Sequence, residues 1–382
     1  MNYQLLNSLF FKKLFVLTGL LLPCIIAATQ TKPDFAMHVA GKLTRSQDVY
    51  KFIHGFKAIP DSKAASLAKT ATQIQDAICK LPQLNPPTGF DANNGVATYD
   101  VELKNKEPQL KVFCFLRYLE NDTHTGKVIT SMDGADIYFD INAFDLFDQI
   151  GNYWQECDKI KFPIFFEELS ITDSSADYIQ TTIKGRTVRI IKTNRPLFIP
   201  LTRKEFLQFL IARDHLRIKE NQRLINDGKK QIADTKRNIS DPLYQSLKST
   251  LEQTILAIEQ QIQKLDKEIG FLQQKIARFY EVMNAMPAEE AAAPARLDYS
   301  KKSDELFGLE QLVPVDRREG ILLQRINPGY YNYSANAPAA QLITVYYSWP
   351  VIGFEKDPDY VQQTALDIFN QVDYHVLKMS IQ

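Results

Sequence analysis

The sequence predicts an α+β protein with a mostly antiparallel sheet, flanking helices and a long antiparallel coiled-coil hairpin inserted into the chain. Two observations predict this fold class. Apolar residues recur in heptads through residues 201–286, which is typical of coiled-coil helices. On both sides of that segment, apolar residues alternate over short stretches, as in strands, and adopt helical spacing near the two ends. The 382 residues can also bury a sizeable core beside the hairpin.

The first helix of the hairpin is expected to begin at Thr202. Its hydroxyl can accept a hydrogen bond from the N–H of Glu205, whose carboxylate can reach back, which makes a capping box. Isoleucines then recur every seven residues, the spacing that keeps one side chain on a coiled-coil seam. They are Ile211, Ile218, Ile225, Ile232 and Ile239. Asp241 followed by Pro242 is a typical helix start, so a second helix is expected at once.

The second helix alternates steps of three and four between apolar residues, which predicts a full seam. Its members are Ile255, Ile258, Ile262, Leu265, Ile269, Leu272, Ile276, Phe279 and Met283. A short turn favours antiparallel packing of the two helices. The expected register places Ile225 near Ile255 and Ile258, Ile218 near Ile262 and Leu265, and Ile211 near Ile269 and Leu272.

The two seams differ in width, and this difference predicts a binding surface. The positions three after the isoleucines of the first helix are not apolar: Asp214, Asn221, Gly228 and Thr235. The uncovered half of the second seam is expected to bind another copy or a different protein, because exposed apolar stripes mark interaction sites. The predicted partner-binding residues are Ile211, Ile218, Ile225, Ile255, Ile262, Ile269 and Ile276. Alternatively, the aliphatic stems of basic side chains cover the gap.

The N-terminus predicts export. Lys12 and Lys13 precede an apolar stretch at 14–28 that ends in small residues, which is typical of a signal peptide at 1–28. The mature protein is then periplasmic or extracellular, or membrane-associated if the signal is retained. Without these residues 43 basic and 45 acidic side chains remain, and this near-neutral balance argues against nucleic acid as a partner. No further transmembrane span is expected in the mature chain.

Three cysteines of the mature chain leave two readings open. Cys79, Cys114 and Cys157 could form one disulfide and a free thiol in an oxidising compartment. Equally, all three could be small buried apolar residues.

The remaining segments predict one domain split by the hairpin. Residues 29–200 are expected to form its first part and residues 301–382 to complete it, after an Ala/Pro/Glu linker at 287–300. Two opening helices are predicted within 33–60 and from Asp61 to about residue 78.

Strand patterns follow these helices. Four stretches are expected to form consecutive antiparallel strands: 96–103, 110–119, 127–131 and 135–141. Hairpin turns are expected at 121–126 and at Lys184-Gly185. Further strands at 321–326 and 341–347 precede a final helix that starts at Asp357-Pro358.

The sequence contains none of the common catalytic or nucleotide-binding motifs, such as H-E-x-x-H, G-x-S-x-G or the phosphate loop. No catalytic, cofactor-binding or metal-binding residue is therefore assigned, and no cofactor is expected. His124 beside Asp122 is interpreted as a solvated loop. A series of acidic residues could offer oxygen ligands to calcium, although an exposed strand face explains it better: Asp133, Asp136, Asp140, Asp145 and Asp148.

A tyrosine-rich loop at 327–334 is the candidate ligand site. Tyr330, Tyr331 and Tyr333 could stack on a sugar or anchor a peptide if their rings are exposed. Alternatively, this tyrosine-rich crossing between two strands is edge packing over the core. The preferred hypothesis is nevertheless a non-enzymatic exported protein that uses the hairpin for assembly or partner docking at the cell envelope. A carbohydrate- or peptide-binding protein is the alternative, and a hydrolase with a dispersed site has the least support.

Overall fold

The structure is a computed structural model that describes residues 35–45, 61–98, 109–144, 146–147, 150–151, 153–301, 308–332, 339–349 and 359–381. The predicted signal peptide, the predicted helix around residue 52, Tyr333 and the Asp357-Pro358 helix start lie outside these residues. Within them, no helix combines the length and apolar character needed to cross a membrane.

Within the described residues the main sheet has eight strands, and it confirms the predicted mostly antiparallel arrangement. Its strand order is β1-β2-β3-β4-β12-β8-β7-β6, and only the β1/β2 pair is parallel among the described strands. The strands are β1 (Leu43–Arg45), β2 (Phe90–Thr98), β3 (Leu110–Asn121), β4 (Val128–Ile141), β6 (Ile171–Ser174), β7 (Tyr178–Ile183), β8 (Arg186–Ile191) and β12 (Ile343–Ser348). The predicted turns at 121–126 and Lys184-Gly185 connect β3 to β4 and β7 to β8.

The strands differ from the predicted ones in two respects. Strand β2 begins at Phe90 rather than near residue 96, because its Asn93, Asn94 and Gly95 interrupt the apolar pattern yet still pair with β3. The stretches 127–131 and 135–141 form the single strand β4, whose pairing with β3 shifts register after Arg117.

Three helices cover one face of this sheet: α1 (Asp61–Cys79), α6 (Tyr360–Gln371) and α7 (Tyr374–Met379). Alternate residues of β3 point into the core between the sheet and these helices, because successive strand side chains face opposite sides. Arg189 of β8 fastens α6 to the sheet. Its Nη1 donates to the Phe369 carbonyl over 2.8 Å, its Nε donates to Gln180 Oε1 over 2.9 Å, and the Phe369 ring centroid lies 4.2 Å from its guanidinium carbon.

A smaller sheet carries the second core. Strand β11 (Ile321–Ile326) pairs with β5 (Phe165–Glu167), β9 (Phe198–Pro200) and β10 (Arg296–Leu297), always antiparallel. Helix α2 (Trp154–Ile160) packs beside it. The C-terminal segment thus contributes to both sheets, because β12 inserts between β4 and β8 of the larger one.

The hairpin consists of helix α3 (Arg203–Ile239) and helix α4 (Lys248–Ala285). The predicted capping box is present: Thr202 Oγ1 accepts from the Glu205 N–H over 3.2 Å, and Glu205 Oε2 accepts from the Thr202 N–H over 2.9 Å. A 3-10 helix, Pro242–Leu247, connects the two long helices.

Residues 287–300, expected to be a linker, are built into the fold. They contain the short helix α5 (Ala288–Ala292) and strand β10, and Ala295 and Leu297 are fully buried. The Ala295 N–H donates to the Leu201 carbonyl over 2.8 Å, so the departing and returning chains are joined at the root of the hairpin. Low sequence complexity predicts a linker here, whereas in the structure Ala295 and Leu297 pack in the second core.

Candidate functional site: the helical hairpin

The base of the hairpin is fixed by aromatic packing. Phe209 of α3 lies with its ring centroid 4.8 Å from Phe165 of β5 and 5.6 Å from Phe162. Phe206 contacts the same Phe165 edge-on, at 6.5 Å. All these rings belong to the second core, which also takes in Leu272 of α4. Both helices are therefore held by the body over their first or last turns.

Polar contacts close the root of the hairpin. Arg203 Nη2 forms a 3.0 Å ion pair with Glu290 of α5, and Nη1 donates to the Val313 carbonyl. Arg325 of β11 donates to Glu205 Oε1 over 2.7 Å. Burial by itself would raise the pKa of Glu205, but the hydrogen bonds from Thr202 and Arg325 outweigh it and hold the pKa below its ordinary value.

A buried carboxylate lies two to three helical turns further along α3 than Glu205. Asp214 has a side-chain exposure of 0%, and its Oδ1 accepts a hydrogen bond from Arg213 Nε over 2.9 Å. Lys275 of α4 brings its ammonium group within 3.6 Å of Oδ2, and Arg217 lies 3.8 Å from Oδ1. Arg217 also bonds Glu268 of α4 over 3.0 Å. These ion pairs connect α3 to α4 across the interface.

The register of the hairpin differs from the predicted one by one to two helical turns. Gly228 approaches α4 so closely that an added Cβ would lie 3.2 Å from Ile258 Cγ2 and 3.3 Å from Ile262 Cδ1. This contact and the Arg217–Glu268 pair place Ile225 opposite the turn that contains Ile262. The expected pairing with Ile255 and Ile258 is wrong because the 3-10 helix Pro242–Leu247 lengthens the connection.

The predicted partner-binding isoleucines lie on the interface between the two helices. Ile211, Ile218, Ile225 and Ile276 are buried, and Ile255, Ile262 and Ile269 are half-buried. The polar positions Asp214, Asn221 and Thr235 are buried as well. Polar residues of α3 thus cover much of the seam that was expected to be free.

The distal half of the hairpin leaves the body. The whole hairpin lies in the described part of the chain. This part contains three hydrophobic cores: the one between the main sheet and its helices, the second core, and a third around Phe147, Phe166 and Val188. None of the hairpin residues from 219 to 268 belongs to any of them. At a rise of about 1.5 Å per residue, α3 continues about 30 Å beyond its last core residue, Ile218. It ends at the 3-10 helix, which we call the tip.

The tip presents apolar side chains to solvent. Leu243 is 84% exposed, Leu247 51% and Tyr244 39%. Lys236 and Arg237 precede the tip and Lys248 follows it, and all three are exposed. Sequence reasoning missed this surface because it concentrated on the heptads. The signal was present as three apolar residues within five positions after Asp241-Pro242.

The tyrosine loop lacks the exposure that the ligand-binding prediction assumed. Tyr330 and Tyr331 are buried, and their hydroxyls donate to the backbone carbonyls of Gln341 and Asn142 over 2.9 Å each. Burial raises the pKa of Tyr330 to about 12. Tyr330 does line a pocket of about 220 Å³ together with Arg195 and other residues. Tyr333 lies outside the described residues, so the structure does not bring the three rings together.

The remaining candidates are the His124/Asp122 pair and the acidic series, and their described members take part in contacts within the fold. The backbone N–H of His124 and the hydroxyl of Thr125 donate to Asp122, so this pair forms a polar turn in the β3/β4 loop. Asp136 pairs with Arg117 at 2.6 Å, and Asp140 is buried rather than on an exposed face. Asp145 and Asp148 lie outside the described residues. Among the residues that the structure describes, no cluster of potential metal ligands is found.

The three cysteines carry free thiols, and two of them, Cys114 and Cys157, are buried. Burial raises the pKa of both thiols, that of Cys157 to about 12. The environment of Cys114 and Cys157 favours the reading as small buried residues, whereas Cys79 is half-buried.

Comparison with known proteins adds no relative: no protein-family model, curated protein or solved structure matches this chain.

Proposed function

We propose that this chain is an exported, non-enzymatic protein that uses the hairpin as an arm for assembly or partner docking at the cell envelope. One observation carries the proposal: both helices are anchored in the second core at the base, while residues 219–268 extend away from the cores and end in exposed apolar side chains. A rigid base with a free end suits a segment that reaches another surface. Export rests on the sequence of residues 1–28.

The alternatives have less support. A ligand site on the tyrosine loop would need free ring faces, whereas Tyr330 and Tyr331 pack edge to face at 5.5 Å and use their hydroxyls internally. Substituting Ile262 and Ile269 by Glu would not test the arm cleanly, because both face α3 and the change would open the hairpin itself.

The sharper test removes the distal half and keeps the base. In the short-arm variant, residues 226–261 are replaced by a short Gly/Ser loop, so that Ile225 and Ile262 remain as the last facing turns. Two quantities are compared with the mature chain: molar mass by light scattering, and the fraction retained with the envelope of the exporting cells. We expect the short-arm variant to keep its melting temperature and to lose self-association or envelope retention. If molar mass and retention are both unchanged, the proposal is wrong.

A further inference from the structure

The body of the protein contains a pocket between the tyrosine loop and the segment that connects β8 to β9. Its volume is about 220 Å³. It is lined by residues 193–195 of the connecting segment, by Tyr330 and Asn332 of the loop, and by Gln341 and Ile381. Pockets that hold drug-sized ligands measure about 300–1,000 Å³, so this one has room for a smaller molecule.

The walls of the pocket are held in place by hydrogen bonds within the fold. The Gln341 side chain bonds both backbone groups of Asn332: its Oε1 accepts from the N–H over 2.7 Å, and its Nε2 donates to the carbonyl over 2.9 Å. Asn327 Nδ2 donates to the Pro196 carbonyl over 3.0 Å, which joins the tyrosine loop to the connecting segment. A ligand therefore meets a preformed site, and few groups have to be ordered on binding.

The lining combines apolar surface with a net positive charge. Ile381 and the ring of Tyr330 are buried in the fold and provide the apolar surface. Burial raises the pKa of Tyr330 to about 12, so its phenol is neutral at physiological pH. The lining residues that the structure describes include no carboxylate side chain, and Arg195 is the charged residue among them. The pocket thus favours an anion with an apolar part.

Arg195 keeps most of its hydrogen-bonding capacity for a ligand. Its Nη1 lies 3.4 Å from the carbonyl oxygens of both Gly329 and Tyr330, which are long contacts. Its Nε and Nη2 carry three further N–H groups, and these have neither an acceptor nor a carboxylate partner in the described part of the chain. The side-chain amide of the adjacent Asn194 has no partner there either. A guanidinium with unused N–H groups matches the two oxygens of a carboxylate.

We propose that this pocket binds a small monocarboxylic acid as its anion. The carboxylate pairs with the unused N–H groups of Arg195, and the apolar part of the ligand packs against Tyr330 and Ile381. The exposed ring faces that the sequence-based ligand hypothesis needed are not required. The inference concerns the body of the protein and does not depend on the role proposed for the hairpin.

Fluorine NMR on the mature chain tests the inference at neutral pH. The probes are a rigid aromatic acid, 4-fluorobenzoate, and a flexible aliphatic one, 4,4,4-trifluorobutanoate. The amide of each acid is the matched neutral probe, because it has nearly the same size and shape and no charge. We expect at least one acid to bind with a millimolar or lower Kd, and its amide to bind about 10-fold more weakly or worse.

Two variants assign the binding to the pocket. Arg195→Gln should weaken binding of the acid about 10-fold or more and leave that of the amide unchanged, because the charge-assisted hydrogen bonds are lost. Arg318→Gln is the matched control: it makes the same change of charge at an exposed arginine that does not line the pocket. Its affinity for the acid should stay within about twofold of the unmodified chain.

Circular-dichroism melting checks that both variants are folded, as expected for substitutions of exposed side chains. The inference is wrong if neither acid binds at millimolar concentration, or if each amide binds as tightly as its acid. It is also wrong if the folded Arg195→Gln variant binds the acid as well as the unmodified chain does. Equal weakening in Arg195→Gln and Arg318→Gln would show an effect of overall charge and would overturn the assignment to the pocket.

Discussion

Replacing Asp214 by alanine is expected to destabilise the protein by about 3–5 kcal/mol, the range for removing one partner of a buried ion pair. The Asp214 side chain is fully buried, with cationic nitrogens of Arg213, Lys275 and Arg217 at 2.9, 3.6 and 3.8 Å. At an effective dielectric constant of about 20, the two more distant cations, Lys275 and Arg217, each contribute roughly 4 kcal/mol of attraction. Desolvation of the ions offsets much of that sum, so the net cost of removal is smaller.

The same reasoning predicts that Asp214→Ala destabilises the protein because the surrounding cations stay buried without a counter-charge. Replacing the group together (Asp214→Leu, Arg213→Met, Lys275→Met) should recover most of the lost stability, because well-packed apolar residues can replace a buried ion cluster at little or no cost. Asp227→Ala is the matched control: this carboxylate is 66% exposed and lies 3.9 Å from Arg223 on the same helix. It should change stability by no more than about 0.5 kcal/mol.

Urea unfolding at neutral pH measures all three variants, with the free energy of unfolding obtained by linear extrapolation. A loss below about 1 kcal/mol for Asp214→Ala would refute the reasoning. So would a triple variant no more stable than the single one.

Three further predictions concern the body and the root of the hairpin. The pKa of Glu205 is lowered in the folded state, so the stabilising contribution of this carboxylate is present above its ordinary pKa of 4.5 and is lost as the pH falls below that value. The Glu205→Gln variant should therefore lose less stability than the unmodified chain between neutral pH and about pH 3. Arg189→Met removes a buried group with several hydrogen bonds and should lower the free energy of unfolding, measured by thermal unfolding, by about 2–4 kcal/mol. An unchanged stability would contradict the role of Arg189 in holding α6 on the sheet. With its pKa near 12, Cys157 should resist alkylation at neutral pH in the folded protein and react after unfolding, as mass spectrometry can show.

Local sequence signals predicted the elements of the hairpin better than their mutual arrangement. The capping box at Thr202 depends on residues three positions apart, so it could be recognised directly. The register could not, because it depends on the length of the connection, and Asp241-Pro242 starts a 3-10 helix instead of α4. The buried Asp214 was also hidden, since its cationic partner Lys275 lies on the other helix.

The same limit applies to the body. Alternation predicted β3 and most of β4 because each buries one face. The position of β12 between β4 and β8 depends on a pairing across about 150 residues or more of chain, which no local pattern encodes. The sequence left two readings of the tyrosine loop open for a related reason: the carbonyls that accept from Tyr330 and Tyr331 come from other segments.

The most direct test of the docking arm compares the mature chain with the short-arm variant in the cells that export it. The measured quantities are the fraction of each protein that sediments with the envelope and the molar mass of the released protein. The account predicts that shortening abolishes envelope retention or assembly while the melting temperature stays the same, because the base and all three cores are kept. Equal retention and equal molar mass for two folded proteins would contradict it.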